Sequence, residues 1–130
     1  MAGKGHRDVY SDTIEWRRGE SDGVRYARFM MDEDDTSAPL IILARFQPGE
    51  VVEPHTHAAN YFEYVLSGEQ TVGKNTFRAG DIRFAKGGTG YGPITVGPDG
   101  CEVLIVFQEV TGSMTIPLGR ARKAAETPAA

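Results

Sequence analysis

The chain has 130 residues, the size of one ordinary domain and too short for two independent cores joined by a linker. Its 14 Lys and Arg against 18 Asp and Glu leave a formal net charge of -4, the opposite of the basic footprint of a nucleic-acid binder. No apolar run approaches the ~20 residues of a membrane span, and no basic-then-apolar leader opens the chain. The one cysteine, Cys101, forbids an internal disulfide and fits a reducing compartment. The expectation is a cytoplasmic protein with no nucleic-acid and no membrane partner.

The 16 Gly and 7 Pro make about one residue in six, against roughly 12% in average usage, and imply many tight turns. Helical periodicity is almost absent. Short β-branched or aromatic runs predict strands at 23–30, 39–46, 50–57, 61–66, 70–72, 76–78, 81–85 and 101–110. Between them stand turn signals: Gln47-Pro48-Gly49, Ser67-Gly68-Glu69, Gly73-Lys74-Asn75 and Gly97-Pro98-Asp99-Gly100. Strands spaced so closely, with no helix to cross between them, predict an all-β antiparallel sandwich or barrel. The whole chain, 1–130, reads as one domain with a barrel core over about 23–112 and peripheral arms at 1–12 and 119–130. The last arm, rich in alanine, is expected as a short helix or a disordered tail. Asp32-Glu33-Asp34-Asp35 lacks the spaced ligands and Gly of a calcium loop and reads as a solvated acidic turn.

The chemistry concentrates in Gly49-Glu-Val-Val-Glu-Pro54-His55-Thr-His57. Two of the three histidines stand two residues apart at the end of a predicted strand, where positions i and i+2 share a face. Pro54 biases Glu53 toward extended backbone, which suits that geometry. Neutral imidazoles converging in this way suit a borderline divalent metal.

The surroundings of this pair resemble the cupin superfamily, small β-barrels of the double-stranded β-helix or jelly-roll type whose first motif reads G-x5-H-x-H-x(3,4)-E-x6-G. Gly49, His55, His57 and Gly68 occupy its positions, and Tyr64-Val65-Leu66-Ser67-Gly68 matches the strand and turn that close it. The second motif, G-x5-P-x-G-x2-H-x3-N, is partly visible from Gly80 through Gly88 to Tyr91. The resemblance covers about residues 40–108. It implies a cupin barrel, a divalent metal (Fe, Zn, Mn or Ni) and a small-molecule substrate.

The departures matter as much. Tyr61 holds the position of the usual ligand glutamate, Tyr91 that of the last ligand histidine, and Lys86 that of the proline. The nearest carboxylate is Glu63, on the same strand face as Tyr61. Three arrangements stay open: Glu63 completes a two-His, one-carboxylate shell; Tyr61 or Tyr91 supplies a phenolate, against a phenol pKa of ~10; or no metal binds and the tyrosines line a ligand pocket. Tyr61 and Tyr91 also serve equally well as barrel fillers. An inward Glu63 requires a metal or an Arg/Lys partner, with Arg45 and Arg83 as candidates, although strand arginines more often reach to the surface. His6 lies in the loose N-terminal arm, and Cys101 reads as a buried, inert thiol. Gly87 to Pro93 lacks the Lys-Ser/Thr ending of a phosphate loop and reads as a flexible rim loop presenting Tyr91.

The leading expectation is a metal-dependent cupin enzyme with His55, His57 and Glu63 as metal ligands and Tyr61, Tyr91 and Glu63 as catalytic groups. A dioxygenase or an isomerase/lyase type of reaction on a small organic molecule fits best. The alternatives are a non-catalytic small-molecule-binding or sensor cupin with a degenerate site, and a metal-free cyclase or dehydratase. The apolar runs Leu40 to Leu43 and Val103 to Phe107 predict a homodimer.

Overall fold

The computed structural model describes residues 5–118. The expected C-terminal arm, 119–130, and the first four residues lie outside the described residues. A 3₁₀ turn at Ser11–Thr13 is followed by β1 (Arg17–Arg18), β2 (Val24–Met30), β3 (Leu40–Phe46), β4 (Val51–Val52) and β5 (His55–Thr56). Then come β6 (Tyr61–Val72), β7 (Asn75–Arg78), β8 (Ile82–Ala85), β9 (Ile94–Phe107) and β10 (Ile116–Pro117). Among the described residues every strand pairing is antiparallel. The main sheet runs β1-β2-β3-β9-β6-β7, with β4 also on β9 and β8 also on β6, and β10 pairs with β5. The chain is the all-β barrel that its turn-rich, helix-poor pattern predicts.

Two strands are much longer than expected. β6 and β9 pair along almost their whole length, and each switches its second partner part-way: β6 from β8 to β7, β9 from β4 to β3. The segments Ser67-Gly68-Glu69 and Gly97 to Gly100, read as loops, lie inside these strands. Register shifts at Val65/Ser67 and Gly68/Gln70 bend β6 there. The glycines serve a close crossing rather than a reversal. A Cβ on Gly68, whose φ is +74°, would sit 2.0 Å from the Gly100 carbonyl oxygen.

The inward face of the sheet carries the core in two adjoining layers. One holds Leu40, Ala59, Tyr61, Ala85 and Phe107; the other holds Ala44, Val65, Val96, Cys101 and Val103. The alternation Tyr61, Glu63, Val65 points inward along β6 until the bulge inverts its parity, after which Gln70 and Val72 are the buried positions. Burial, with the Glu63 carboxylate adding to it, pushes the Cys101 thiol up to about 11, so it stays protonated as an inert core group. Among the described residues no helix is long and apolar enough to cross a membrane.

Candidate functional site

The histidine pair sits where β5 meets two other segments. Ile116 and Pro117 of β10 pair with Thr56 and His55. On the other side Tyr91 forms a bridge to His55 through reciprocal main-chain bonds of 3.0 and 3.1 Å. The 87–92 loop is therefore not a flexible rim but a third strand-like layer on β5. Gly88 N donates to the His57 carbonyl at 2.7 Å and the Thr56 hydroxyl to the Thr89 carbonyl at 2.7 Å. Its glycines permit this approach, since a Cβ on Gly87 would lie 2.0 Å from the Ala58 carbonyl oxygen.

Both imidazoles turn into the barrel and are buried. Their ring centroids are 5.1 Å apart and nearly perpendicular. His55 donates from Nδ1 to the Glu53 carbonyl at 2.9 Å; His57 donates from Nδ1 to the carbonyls of Ser113 (2.9 Å) and Met114 (3.2 Å). A carbonyl only accepts, so the neutral rings carry their proton on Nδ1 and leave the Nε2 lone pair free. Tyr91 then donates its phenol to Nε2 of His55 at 2.8 Å. Burial lowers the pKa of both imidazoles, outweighing the carbonyls that raise it, and so keeps them neutral.

Tyr61 completes the group, 5.1 Å from the His57 ring and 6.0 Å from the Tyr91 ring between centroids. Burial raises the pKa of both phenols, most strongly for Tyr91, where the neighbouring Tyr61 adds to it. Four of the five positions singled out in the sequence, His55, His57, Tyr61 and Tyr91, thus lie in ring contact with one another.

Glu63, two residues along the same strand face, meets a cation and an amide. Its Oε1 accepts from Arg83 Nη2 at 3.1 Å and from the buried Gln70 amide. Among the described residues no group of three or more His, Cys, Asp and Glu side chains is placed to hold a metal ion. The inward carboxylate finds the cationic partner that its burial demands. Arg83 in turn reaches the Tyr61 hydroxyl at 3.5 Å and lies 4.5 Å over the Tyr91 ring. Burial alone would lower the Arg83 pKa, but the Glu63 carboxylate and Tyr61 outweigh it and hold the guanidinium charged. Arg45, the other candidate partner, pairs instead with Glu102 on the outside and stacks 3.9 Å over Trp16. Gln70, which no motif marks, belongs to this buried polar row.

The family model of the ChrR cupin-like domain matches residues 5–115. The chain belongs to this cupin family. Its fold is similar to that of the polyketide cyclase RemF from Streptomyces resistomycificus, with a TM-score of 0.74 at 14% identity, covering 95% of this chain and 94% of that one. It is also similar to a deletion mutant of Bacillus subtilis oxalate decarboxylase OxdC (TM-score 0.70, 22% identity, 95% of this chain and 36% of that one). A third similar structure is Rhodobacter sphaeroides SigE in complex with the anti-sigma ChrR (TM-score 0.62, 22% identity, 75% of this chain and 51% of that one). This cupin therefore spans about a third of the oxalate decarboxylase chain and about half of the matched chain of the ChrR complex. No curated protein matches it in sequence at a significant level.

Whether this cupin's donors fit a metal is decided by the ring nitrogens. Each histidine is tied by Nδ1–H to a main-chain carbonyl, the support that metal-ligating histidines receive. The 2.8 Å between Tyr91 Oη and His55 Nε2 is a hydrogen bond, so an ion on that lone pair would displace the phenol proton. Two neutral imidazoles and a phenol oxygen are donors of the type that a Lewis-acidic borderline ion takes. The Glu63 carboxylate is paired with Arg83 through Oε1.

Proposed function

We propose that this cupin is a metal-dependent enzyme acting on a small organic molecule, by a dioxygenase or an isomerase/lyase type of reaction, with His55 and His57 as its imidazole ligands. One observation carries the reading: two buried imidazoles lie with ring centroids 5.1 Å apart, each held at Nδ1 by a main-chain carbonyl that leaves Nε2 as its lone-pair nitrogen. A divalent ion (Fe, Zn, Mn or Ni) bound there supplies Lewis acidity toward a substrate oxygen or an open position for O₂. The chain's own groups do the rest. Tyr91 holds a proton at its phenol oxygen beside His55, and Tyr61 holds a second within reach of Arg83. Arg83 places a fixed positive charge against both tyrosines, where it favours an anionic oxygen. Glu63 acts through Arg83 as a positioning residue. The test is elemental analysis of untagged protein: about one metal per chain in the wild type and none in a His55→Ala/His57→Ala variant that still folds. A wild type that is folded and metal-free overturns the reading.

A second reading, a non-catalytic small-molecule-binding or sensor cupin, draws on one observation. Tyr91 already occupies the lone pair of His55, which leaves a hydrogen-bonding pocket complete without an ion. Membership of the ChrR cupin-like family agrees with it. A metal-free protein that copurifies with an organic ligand favours this reading over the first.

A homodimer is part of the proposal. The outward face carries two cross-strand apolar rows, Phe84-Phe62-Val106-Ile41-Phe29 and Ile82-Tyr64-Leu104-Leu43. Phe84 is 75% and Ile82 47% exposed, an apolar surface of the kind that marks an interface. Light scattering after size exclusion gives twice the chain mass if the rows pair, and the chain mass if they do not.

A further inference from the structure

We propose that the cleft on the far side of Tyr91 from His55 receives the charged end of the substrate, and that the substrate is an organic carboxylate of aromatic size. The inference rests on the proposed function in one respect, that the cleft is the approach to the histidine pair.

The cleft is an open groove of about 620 Å³, within the volume range of small-ligand sites. Its walls come from the β6–β7 turn, from β8 and its end, and from the 89–92 loop, all gathered because β6 pairs with both β7 and β8. Three cations line it, Lys74, Arg83 and Lys86, and no Asp or Glu does, in a chain whose net charge is -4. Among the described residues neither Lys74 nor Lys86 makes an ion pair or a side-chain hydrogen bond. Arg83 is partly neutralised by Glu63 behind it. The local charge is therefore positive, and because both lysines are exposed their pull on a small anion is one that salt screens.

The rest of the lining selects for shape. Phe77 and Tyr91 offer aromatic surface beside the cations, which favours a planar apolar body over a small hydrated ion. Tyr91 belongs to both spaces: it walls the cleft, and its phenol oxygen is 2.8 Å from His55 Nε2. A carboxylate anchored at the lysines leaves the other end of the molecule one side chain away from the imidazoles.

The test uses the full chain, sodium benzoate and its uncharged amide, benzamide, in a titration calorimeter. Benzoate is expected to bind about tenfold or more tightly than benzamide, with a preference that shrinks as salt is added. A Lys74→Gln/Lys86→Gln variant is expected to lose the preference while keeping wild-type metal content, since neither lysine touches the histidines. Equal binding of the two probes, or an unchanged preference in the variant, overturns the proposal. Displacement of benzoate by inorganic phosphate at matching concentration also overturns it, because the site is then one for small inorganic anions. Metal-free protein that keeps the preference sinks the metal reading and leaves the cleft standing; metal-loaded protein without it does the reverse.

Discussion

Glu63 and Arg83 stand opposite one another on β6 and β8 and close to 3.1 Å, with side-chain exposures of only 6% and 12%. Removing one partner of such a pair strands the other charge in the core, a loss of about 3–5 kcal/mol. Arg83→Met is therefore expected to lower the urea midpoint sharply, and adding Glu63→Gln to recover much of that loss. A double variant no more stable than Arg83→Met would show that lost packing, not the stranded carboxylate, is responsible.

The histidines give the fold an acid limb. Burial lowers both pKa values from the ordinary ~6.5, so the unfolded chain binds these protons more readily than the native one. The stabilisation is fully present above the unfolded value and is lost as pH falls from ~6.5 through the lowered native values. Urea midpoints between pH 7.5 and 5 are expected to fall in the wild type and to stay flatter in a His55→Gln/His57→Gln variant. Parallel slopes for the two proteins would place the acid sensitivity elsewhere.

The phenol proton of Tyr91 lies between Oη and His55 Nε2. An ion bound by both atoms displaces it. Zinc uptake measured in buffers of different ionisation heat is expected to release about one proton more in the wild type than in Tyr91→Phe. The same release from both proteins would leave Tyr91 as a neighbour of the ion and not a ligand.

Gly68→Ala and Gly49→Ala share a positive φ but differ in surroundings. At Gly49 (φ +76°) a Cβ meets nothing within 4 Å, so the cost is the backbone's alone, about 1 kcal/mol. At Gly68 the Cβ would lie 2.0 Å from the Gly100 oxygen, and the cost is about 3 kcal/mol or more, because β6 and β9 must separate. Comparable midpoints for the two variants would contradict the close crossing.

Much of this site was legible in the sequence. The spacing of His55 and His57 on an extended segment predicted one shared space, and the motif offsets marked Tyr61 and Tyr91. An inward Glu63 predicted its own need for a cationic partner. What periodicity could not supply was parity beyond a bulge. Gln70 falls on the outward phase when counted from Tyr61, yet the register shifts in β6 turn it inward. Glycines at 68 and 97–100 carry the same local signature whether a chain reverses or two strands cross. Only the pairing of β6 with β9 distinguishes them, and that contact spans more than thirty residues. The clasp of Ser113 and Met114 on His57 was equally hidden, because a carbonyl leaves no trace in residue type.

That last point bears on how the site tolerates change. The acceptors that orient both imidazoles are oxygens common to every amino acid, at positions 53, 113 and 114. Side chains there are free to drift without disturbing ring tautomers, provided the chain keeps its path. Insertions or deletions between 108 and 116, or a side chain at Gly112, where φ is +86° and a Cβ would lie 2.9 Å from Ala59 N, are the lesions that would unlatch His57.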